Sequence, residues 1–223
     1  MNLTELTAAV VQFTENDEAS FVANIPLFIR QAEQRIYNTV QFPSLRKNVT
    51  GQTSANVKYL QCPSDFLASY SMAVITGTAP NETYEFLLNK DVNFIRQAYT
   101  NPAATGVPRY YALFGPNSSS EDSLVFLLGP TPAAAYSIEL HYFYYPESIT
   151  VAADGTTWLS NNFDSVLLYG TLAEAYTYMK GDPDILSYYM TRYEDALAMA
   201  KRLGDGMERQ DAYRSGQVRL PVT

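Results

Sequence analysis

The apolar residues of this chain change their period twice, and that switch constrains the fold more than any single motif. From Leu3 to Phe13, and again from Pro26 to about Val40, they recur every three or four residues, the spacing of one face of an α-helix. Between about Asn48 and Val151 the repeat is two, as in strands, and turn residues separate the runs. After Trp158 the helical repeat returns. Helices with complementary apolar stripes at both ends of a chain are expected to pack on one another, so the order predicts an α+β fold. In this reading residues 1–47 and 152–204 form a helical bundle, 48–151 an inserted β-rich lobe, and 205–223 an extended C-terminal arm.

Local signals sharpen the outline. Leu6, Val10 and Phe13 form the first stripe. In the second helix Asn24 reads as the cap, Pro26 as an early helical residue and Pro43 as the exit; Ile29, Ala32, Ile36, Tyr37 and Val40 face inward and Arg30, Gln34 and Asn38 outward. In the middle region VKYLQC and FLASYSMAVI flank a Pro63-Ser64-Asp65 turn, and TYEFLL, RYYALF and SLVFLL add three runs. YSIELHYFYY alternates most cleanly, with Tyr136, Ile138, Leu140, Tyr142 and Tyr144 on one face and Ser137, Glu139, His141, Phe143 and Tyr145 on the other. A helix over 89–99 with Val92, Ile95 and Tyr99 on one side interrupts the strands, and NSSSED at 117–122 reads as a hairpin loop. Towards the C-terminus Leu168, Leu172, Ala175, Tyr176 and Met179 trace a stripe, and Gly170 permits close approach by another helix. Gly181 is expected to end that helix, Asp182 to cap the next and Pro183 to open it. Ile185, Tyr189, Tyr193, Ala196, Ala200 and Leu203 line the last helix, and Gly204 is expected to stop it. The segment from Asp205 buries little of itself. It reads as a frayed terminus, or as an arm that orders on a partner through Met207, Tyr213, Val218 and Leu220, with Arg209, Arg214 and Arg219 as hydrogen-bond forks.

Composition excludes much of enzyme chemistry. One cysteine, Cys62, forms no internal disulfide, and a single histidine, His141, removes paired-histidine metal sites and most histidine-dependent nucleophile triads. No phosphate-loop, dinucleotide-binding, nucleophile-elbow, Cys-x-x-Cys or calcium-loop pattern occurs, so no cofactor and no metal are expected. Asp182 and Asp184 read as a helix start rather than as a catalytic carboxylate pair. Glu174, Glu194 and Asp195 read as solvated or helix-to-helix polar residues, Arg109-Tyr110-Tyr111 as strand packing, and Cys62 as a small buried hydrophobe. Lys and Arg number 15 against 23 Asp and Glu, a formal balance of −8, which argues against a surface that grips DNA phosphates. The N-terminus lacks a signal-peptide pattern and no apolar run is long enough for a bilayer, so a soluble protein is expected, with no membrane partner. The 18 tyrosines suit ordinary strand packing, a broad protein interface or a sugar-binding face.

In their order along the chain, IPLFIRQAEQRIYN (Ile25 to Asn38), YLQCPSDFLASYSMAV (Tyr59 to Val74) and GVPRYYALFG (Gly106 to Gly115) resemble the head-to-tail adaptor, or connector, proteins of short-tailed phages. The segment from Trp158 through YGTLAEAYTYMKGDPD to Asp184, and RYEDALAMAKRLGDGMERQDAYRSG (Arg192 to Gly216), continue the resemblance over nearly the whole chain. It implies a structural virion protein at the head-tail interface, made in the bacterial cytoplasm, which forms a dodecameric ring beneath the portal. Its bundle builds the ring, its β lobe faces the tail nozzle or tube, and its C-terminal arm lies along the portal; attachment of tail fibres stays open. The family brings no catalytic residues. Mapped onto this chain, the arm contacts are Met207, Arg209, Tyr213, Arg214, Val218, Arg219 and Leu220, and candidate ring contacts on polar helix faces are Arg30, Glu33, Gln34, Arg192, Glu194 and Lys201. Acidic walls would let DNA pass through the channel without sticking. A carbohydrate-binding or fibre-like β module and a two-carboxylate glycosidase are the alternatives from other classes.

Overall fold

In chain order the elements are α1 (Leu3–Thr14), α2 (Ala19–Thr39), a 3-10 turn (Pro43–Leu45), β1 (Arg46–Gln52), β2 (Tyr59–Gln61), β3 (Phe66–Thr76), β4 (Thr83–Phe86), β5 (Leu88–Asn89) and α3 (Val92–Ala98). Then come β6 (Thr105–Gly106), β7 (Tyr110–Phe114), β8 (Val125–Gly129), β9 (Thr131–Pro132), β10 (Ser137–Tyr144), α4 (Trp158–Asn162), α5 (Asp164–Met179) and α6 (Pro183–Arg214). The computed structural model describes residues 1–101, 103–115 and 124–214, the last eleven by backbone alone. The fold is α+β, and the chain divides into a helical unit, Met1–Leu45 with the chain from Pro146 onward, and a β unit, Arg46–Tyr145.

In the helical unit α1, α2, α4 and α6 all pack on α5. The first helix starts with a reciprocal cap: Glu5 N–H donates to Asn2 Oδ1 and Asn2 N–H to Glu5 Oε2, both at 2.8 Å. Leu6 and Val10 are buried as expected, but Thr14 takes the third inward position and Phe13 is half exposed. The second helix begins at Ala19, not near Pro26, and Asn24 does not cap it; its amide donates to Ser20 O at 2.7 Å instead. An interior proline costs a helix about 3 kcal/mol. Burial of Phe21 and Ile25, with Phe28 set between the rings of Phe21 (5.9 Å) and Tyr178 (5.1 Å), offsets that cost. The predicted inward side, Ile29 to Val40, is buried throughout.

Helix α5 is buried on more than one side, with Val166, Leu167, Thr171 and Ala173 inside beside the expected Leu172 and Ala175. At Gly170 a Cβ would stand 3.1 Å from the Tyr193 ring and 3.3 Å from Ala32 Cβ, so its bareness lets α2 and α6 both close on α5. The helix does not end on Gly181. Lys180 holds the left-handed position (φ 53°), its N–H donates to Thr177 O, and Gly181 N–H donates to Tyr176 O at 3.1 Å. Gly181 is needed for space, since a Cβ there would stand 2.7 Å from the Tyr176 ring.

Asp182 caps α6 by accepting from Asp184 N–H at 2.9 Å, with Pro183 first in the helix, as expected. Tyr189, Tyr193, Leu197 and Ala200 are buried, whereas Ile185 and Leu203, the two ends of the expected stripe, are exposed. Gly204 does not stop the helix, which runs on to Arg214. Two glycines cost about 1 kcal/mol each, and the helix formers Met207, Glu208, Arg209, Gln210 and Ala212 around them carry the propensity of the window.

Where the chain returns to the helical unit, Glu33 receives it. This carboxylate is 3% exposed and accepts Ile149 N–H at 3.0 Å. Burial pushes its pKa above the ordinary 4.5, and the hydrogen bonds from Ile149 and Ser148 and the charge of Arg30 offset only part of that rise.

The β unit is a two-sheet sandwich. Sheet order is β1-β10-β3-β4 in one layer and β2-β8-β7-β5 in the other, with β6 and β9 as a small parallel pair. Met72, Val74, Ile138, Leu140 and Tyr142 of the first layer meet Tyr111, Phe126 and Leu128 of the second. Helix α3 covers the far side of the second layer, where Ile95 packs with Ala112 and Leu127. Strand β10 alternates as predicted. The Pro63-Ser64-Asp65 turn joins strands of different sheets, because β2 pairs with β8 while β3 pairs with β10 and β4. TYEFLL breaks at the buried Leu87, which separates β4 in one layer from β5 in the other. Strand β1 was not legible, since RKNVTGQ holds one large apolar residue, Val49. The 117–122 loop lies outside the described residues; the strands it joins pair antiparallel, Phe114 opposite Val125. Near the sandwich rim Asp65 accepts from Tyr142 Oη (2.8 Å) and Lys47 Nζ (2.7 Å). Burial works to raise its pKa, but those two bonds hold the carboxyl below its usual value.

Two stability outcomes follow from the helical unit. Glu33→Ala leaves Ile149 N–H without its acceptor and lowers stability by about 1–3 kcal/mol in urea unfolding. The native state holds the Glu33 proton more tightly than the unfolded chain. Its stabilisation is therefore full below the ordinary pKa of 4.5 and is lost as pH rises through the raised native value. Glu33→Gln removes that component of the pH profile, and an unchanged profile would contradict the assignment. At the end of α5, Lys180→Gly stabilises by about 0.5–1 kcal/mol by relieving the left-handed residue, while Gly181→Ala destabilises through the Tyr176 ring. Thermal melts showing the opposite order would refute this cap.

Candidate functional site

The outward side chains of the helical unit lie on separate helices flanking α5. Arg30 and Gln34 are exposed on α2, and Arg192, Glu194 and Lys201 are exposed on α6. Glu33 is the correction in this set: it points inward and holds Ile149, so its carboxylate serves the unit's own fold and not a neighbour. The helical period already separates it from Gln34, since Glu33 lies four residues from both Ile29 and Tyr37 on the inward stripe; what the sequence does not show is its partner, the backbone of Ile149, 116 residues away.

On α2, Gln34 lines an open polar groove with Gln31, Arg35, Asn38, Thr39 and Glu174 of α5. Arg35 forms an ion pair with Glu174 across the two helices and sits 6.0 Å over the Tyr193 ring. Glu174 is thus the helix-to-helix polar contact expected of it. On α6 the guanidinium of Arg192 lies 5.3 Å from the Tyr188 ring and donates from Nε to its hydroxyl at 3.2 Å, an exposed pair one turn apart. Met199, 70% exposed, and Leu203, 49% exposed, stand one turn apart on the same helix. Of the expected arm contacts, Met207, Arg209, Tyr213 and Arg214 fall on the backbone-only end of α6, while Val218, Arg219 and Leu220 lie outside the described residues.

The β unit exposes apolar side chains that strand periodicity cannot distinguish from core. Tyr84, Phe86 and Leu88 alternate along the chain and are all exposed, Phe86 to 70%. Tyr70, at a bulge opposite β10, meets Phe143 edge to face at 6.0 Å, with Arg46 5.5 Å over its ring. Tyr111 and Tyr142 are core residues of the sandwich, and Tyr110 packs against α3.

Groups with chemical potential are accounted for by packing. Cys62 is buried in the sandwich, where desolvation pushes its thiol pKa up to about 12 and leaves it without thiolate reactivity. His141 stands opposite Ser71 in the ladder, with Nδ1 3.4 Å from its hydroxyl, a cross-strand contact between neighbours. Among the described residues no group of three or more His, Cys, Asp or Glu is placed to hold a metal ion, and no helix is long and apolar enough to cross a membrane.

No curated protein matches the chain. The family model of the SU10 adaptor protein matches residues 1–221, nearly every residue of both units. That family is one of structural phage adaptors, virion components that act with portal and tail proteins, and it is not a family of enzymes. A helical unit presenting polar side chains and a sandwich with exposed aromatics suit such a role. The chain belongs to the SU10 adaptor protein family, the phage head-to-tail adaptors that its sequence resembles.

Proposed function

We propose that this protein is a head-to-tail adaptor that closes into a ring, twelve copies in the resembling family, beneath the portal. There it joins the portal to the tail nozzle or tube and keeps the DNA channel continuous for retention and ejection. The observation that carries this reading is the length of α6. Ala200 is the last buried residue described on it, Lys201, Arg202 and Leu203 are exposed, and the helix runs on to Arg214. At 1.5 Å per residue those further fourteen residues extend about 21 Å. Lys201 to Leu203, the described side chains past Ala200, are all exposed, and a helix end that continues in that way suits a segment that a partner covers. The portal-binding segment therefore begins as helix rather than as an extended arm. Met207, Arg209, Tyr213 and Arg214 lie on that helix, and Val218, Arg219 and Leu220 continue the contact. Arg30, Gln34, Arg192, Glu194 and Lys201 contribute to contacts between copies.

The charge supports a channel that DNA passes without being held. Sixteen of the 23 acidic residues but only nine of the 15 basic ones belong to the helical unit, which carries most of the formal −8.

Deleting 205–223 should leave the unfolding free energy within about 0.5 kcal/mol of the intact protein and weaken binding to the cognate portal by about tenfold or more, read by mass photometry. Unchanged portal binding would overturn the assignment. Duplex DNA should show no binding to the assembled protein at about 0.15 M salt in fluorescence anisotropy; micromolar affinity there would overturn the non-adhesive channel.

A further inference from the structure

The sheet β1-β10-β3-β4 ends on β1 and β4, which pair with no further strand among the described residues, and we propose that copies of this chain join by pairing β4 of one with β1 of the next, so that the sheet continues from copy to copy. The proposal rests on the ring reading and names the surface that builds it.

Both edges look unfinished in a single copy. Strand β1 has seven residues, no proline and an unbroken register with β10. Natural sheets shield such edges with bulges, prolines, charges or covering elements, because a free row of N–H and C=O groups recruits another strand. Here the two charges, Arg46 and Lys47, are confined to one end. Every residue of β4 is exposed, and Tyr84 (46%) and Phe86 (70%) are aromatic. Exposed aromatics beside an open edge are a surface that a partner covers.

The backbone phase of the two edges matches. Leu87 N–H donates to Met72 O at 2.9 Å. In an antiparallel ladder alternate residues face the partner, so the backbone groups of Tyr84 and Phe86 point away from β3. Likewise Thr53 N–H donates to Tyr136 O at 2.9 Å, which turns the backbone groups of Asn48, Thr50 and Gln52 away from β10. Thr50, Glu139, Ala73 and Phe86 lie on one row across the sheet. The outward-facing residues of both edges therefore carry their side chains on the same face, and joined copies keep core side against core side.

Strand polarity agrees with this. Each strand of the sheet is antiparallel to its neighbour, so β4 meets the next copy's β1 antiparallel as well. The two edges are different surfaces, so the contact is heterologous and is satisfied at every copy when the assembly closes as a ring.

Hydrogen exchange on the full-length protein, alone and assembled on its portal, reads the edges directly. Peptides covering 46–52 and 83–87 should slow by about tenfold or more on assembly. Thr50→Pro and Tyr84→Pro each delete one outward N–H and should leave folded single copies that do not assemble, while Thr50→Val keeps the N–H and should assemble. A ring whose two edges exchange as freely as in the single copy overturns the edge pairing and leaves the ring reading standing, and so do proline variants that assemble like the parent. Slowing at one edge in a complex holding a single copy assigns that edge to the portal and overturns pairing between copies. A chain that stays single with and without portal overturns both readings. Should a proline variant fail to fold, exchange in the parent protein decides.

Discussion

A missing side chain organises the helical unit. At Gly170 the helix α5 offers bare backbone to the Tyr193 ring of α6 and to Ala32 of α2, where an added Cβ would press on both at 3.1 and 3.3 Å. Two helices thereby close on one point of a third, and further contacts surround that meeting: Tyr189 against Tyr176 at 5.0 Å, Arg35 with Glu174, and the buried side chains of Ile29, Ala32, Ile36 and Tyr37. Because α5 is enclosed by α1, α2, α4 and α6, its apolar residues occupy several sides, so a single stripe described it incompletely.

The chain leaves this unit at Leu45 and returns at Pro146, and the return is fixed by a buried carboxylate. Glu33 is costly to desolvate, yet Ile149 N–H would be orphaned without it. The bond fixes the path of the returning backbone. In the β unit the rim cluster of Lys47, Asp65 and Tyr142 ties β1, the turn before β3 and β10 together with hydrogen bonds of 2.7 and 2.8 Å.

An adaptor needs surfaces rather than a cleft, and the distribution of exposed groups has that character. The apolar side chains left outside are on α6 (Met199, Leu203) and along the β4 edge (Tyr84, Phe86), while the one thiol and the one imidazole are occupied by packing. The family resemblance was legible because it rests on the order of many weak signals along the chain. The edge surface was not, because TYEFLL reads the same whether its aromatics enter a core or stand in solvent.

The sequence by itself determined what depends on neighbours within a turn or two: the inward residues of α2 and β10, the Asp182-Pro183 start of α6, the absence of catalytic motifs, the α+β order and the family. Tertiary structure decided where helices begin and end, since the rings around Phe28 carry α2 through Pro26. The contact network around α5 likewise set its end on Lys180 rather than on a glycine. It also decided that Glu33 takes Ile149 as its partner, that β2 and β3 part into different sheets, and that β1 and β4 are the outer strands of their sheet. The physical reason is range. Periodicity and caps act through the local backbone, whereas burial and strand pairing are settled between residues such as Glu33 and Ile149, far apart in sequence, whose meeting no local pattern records.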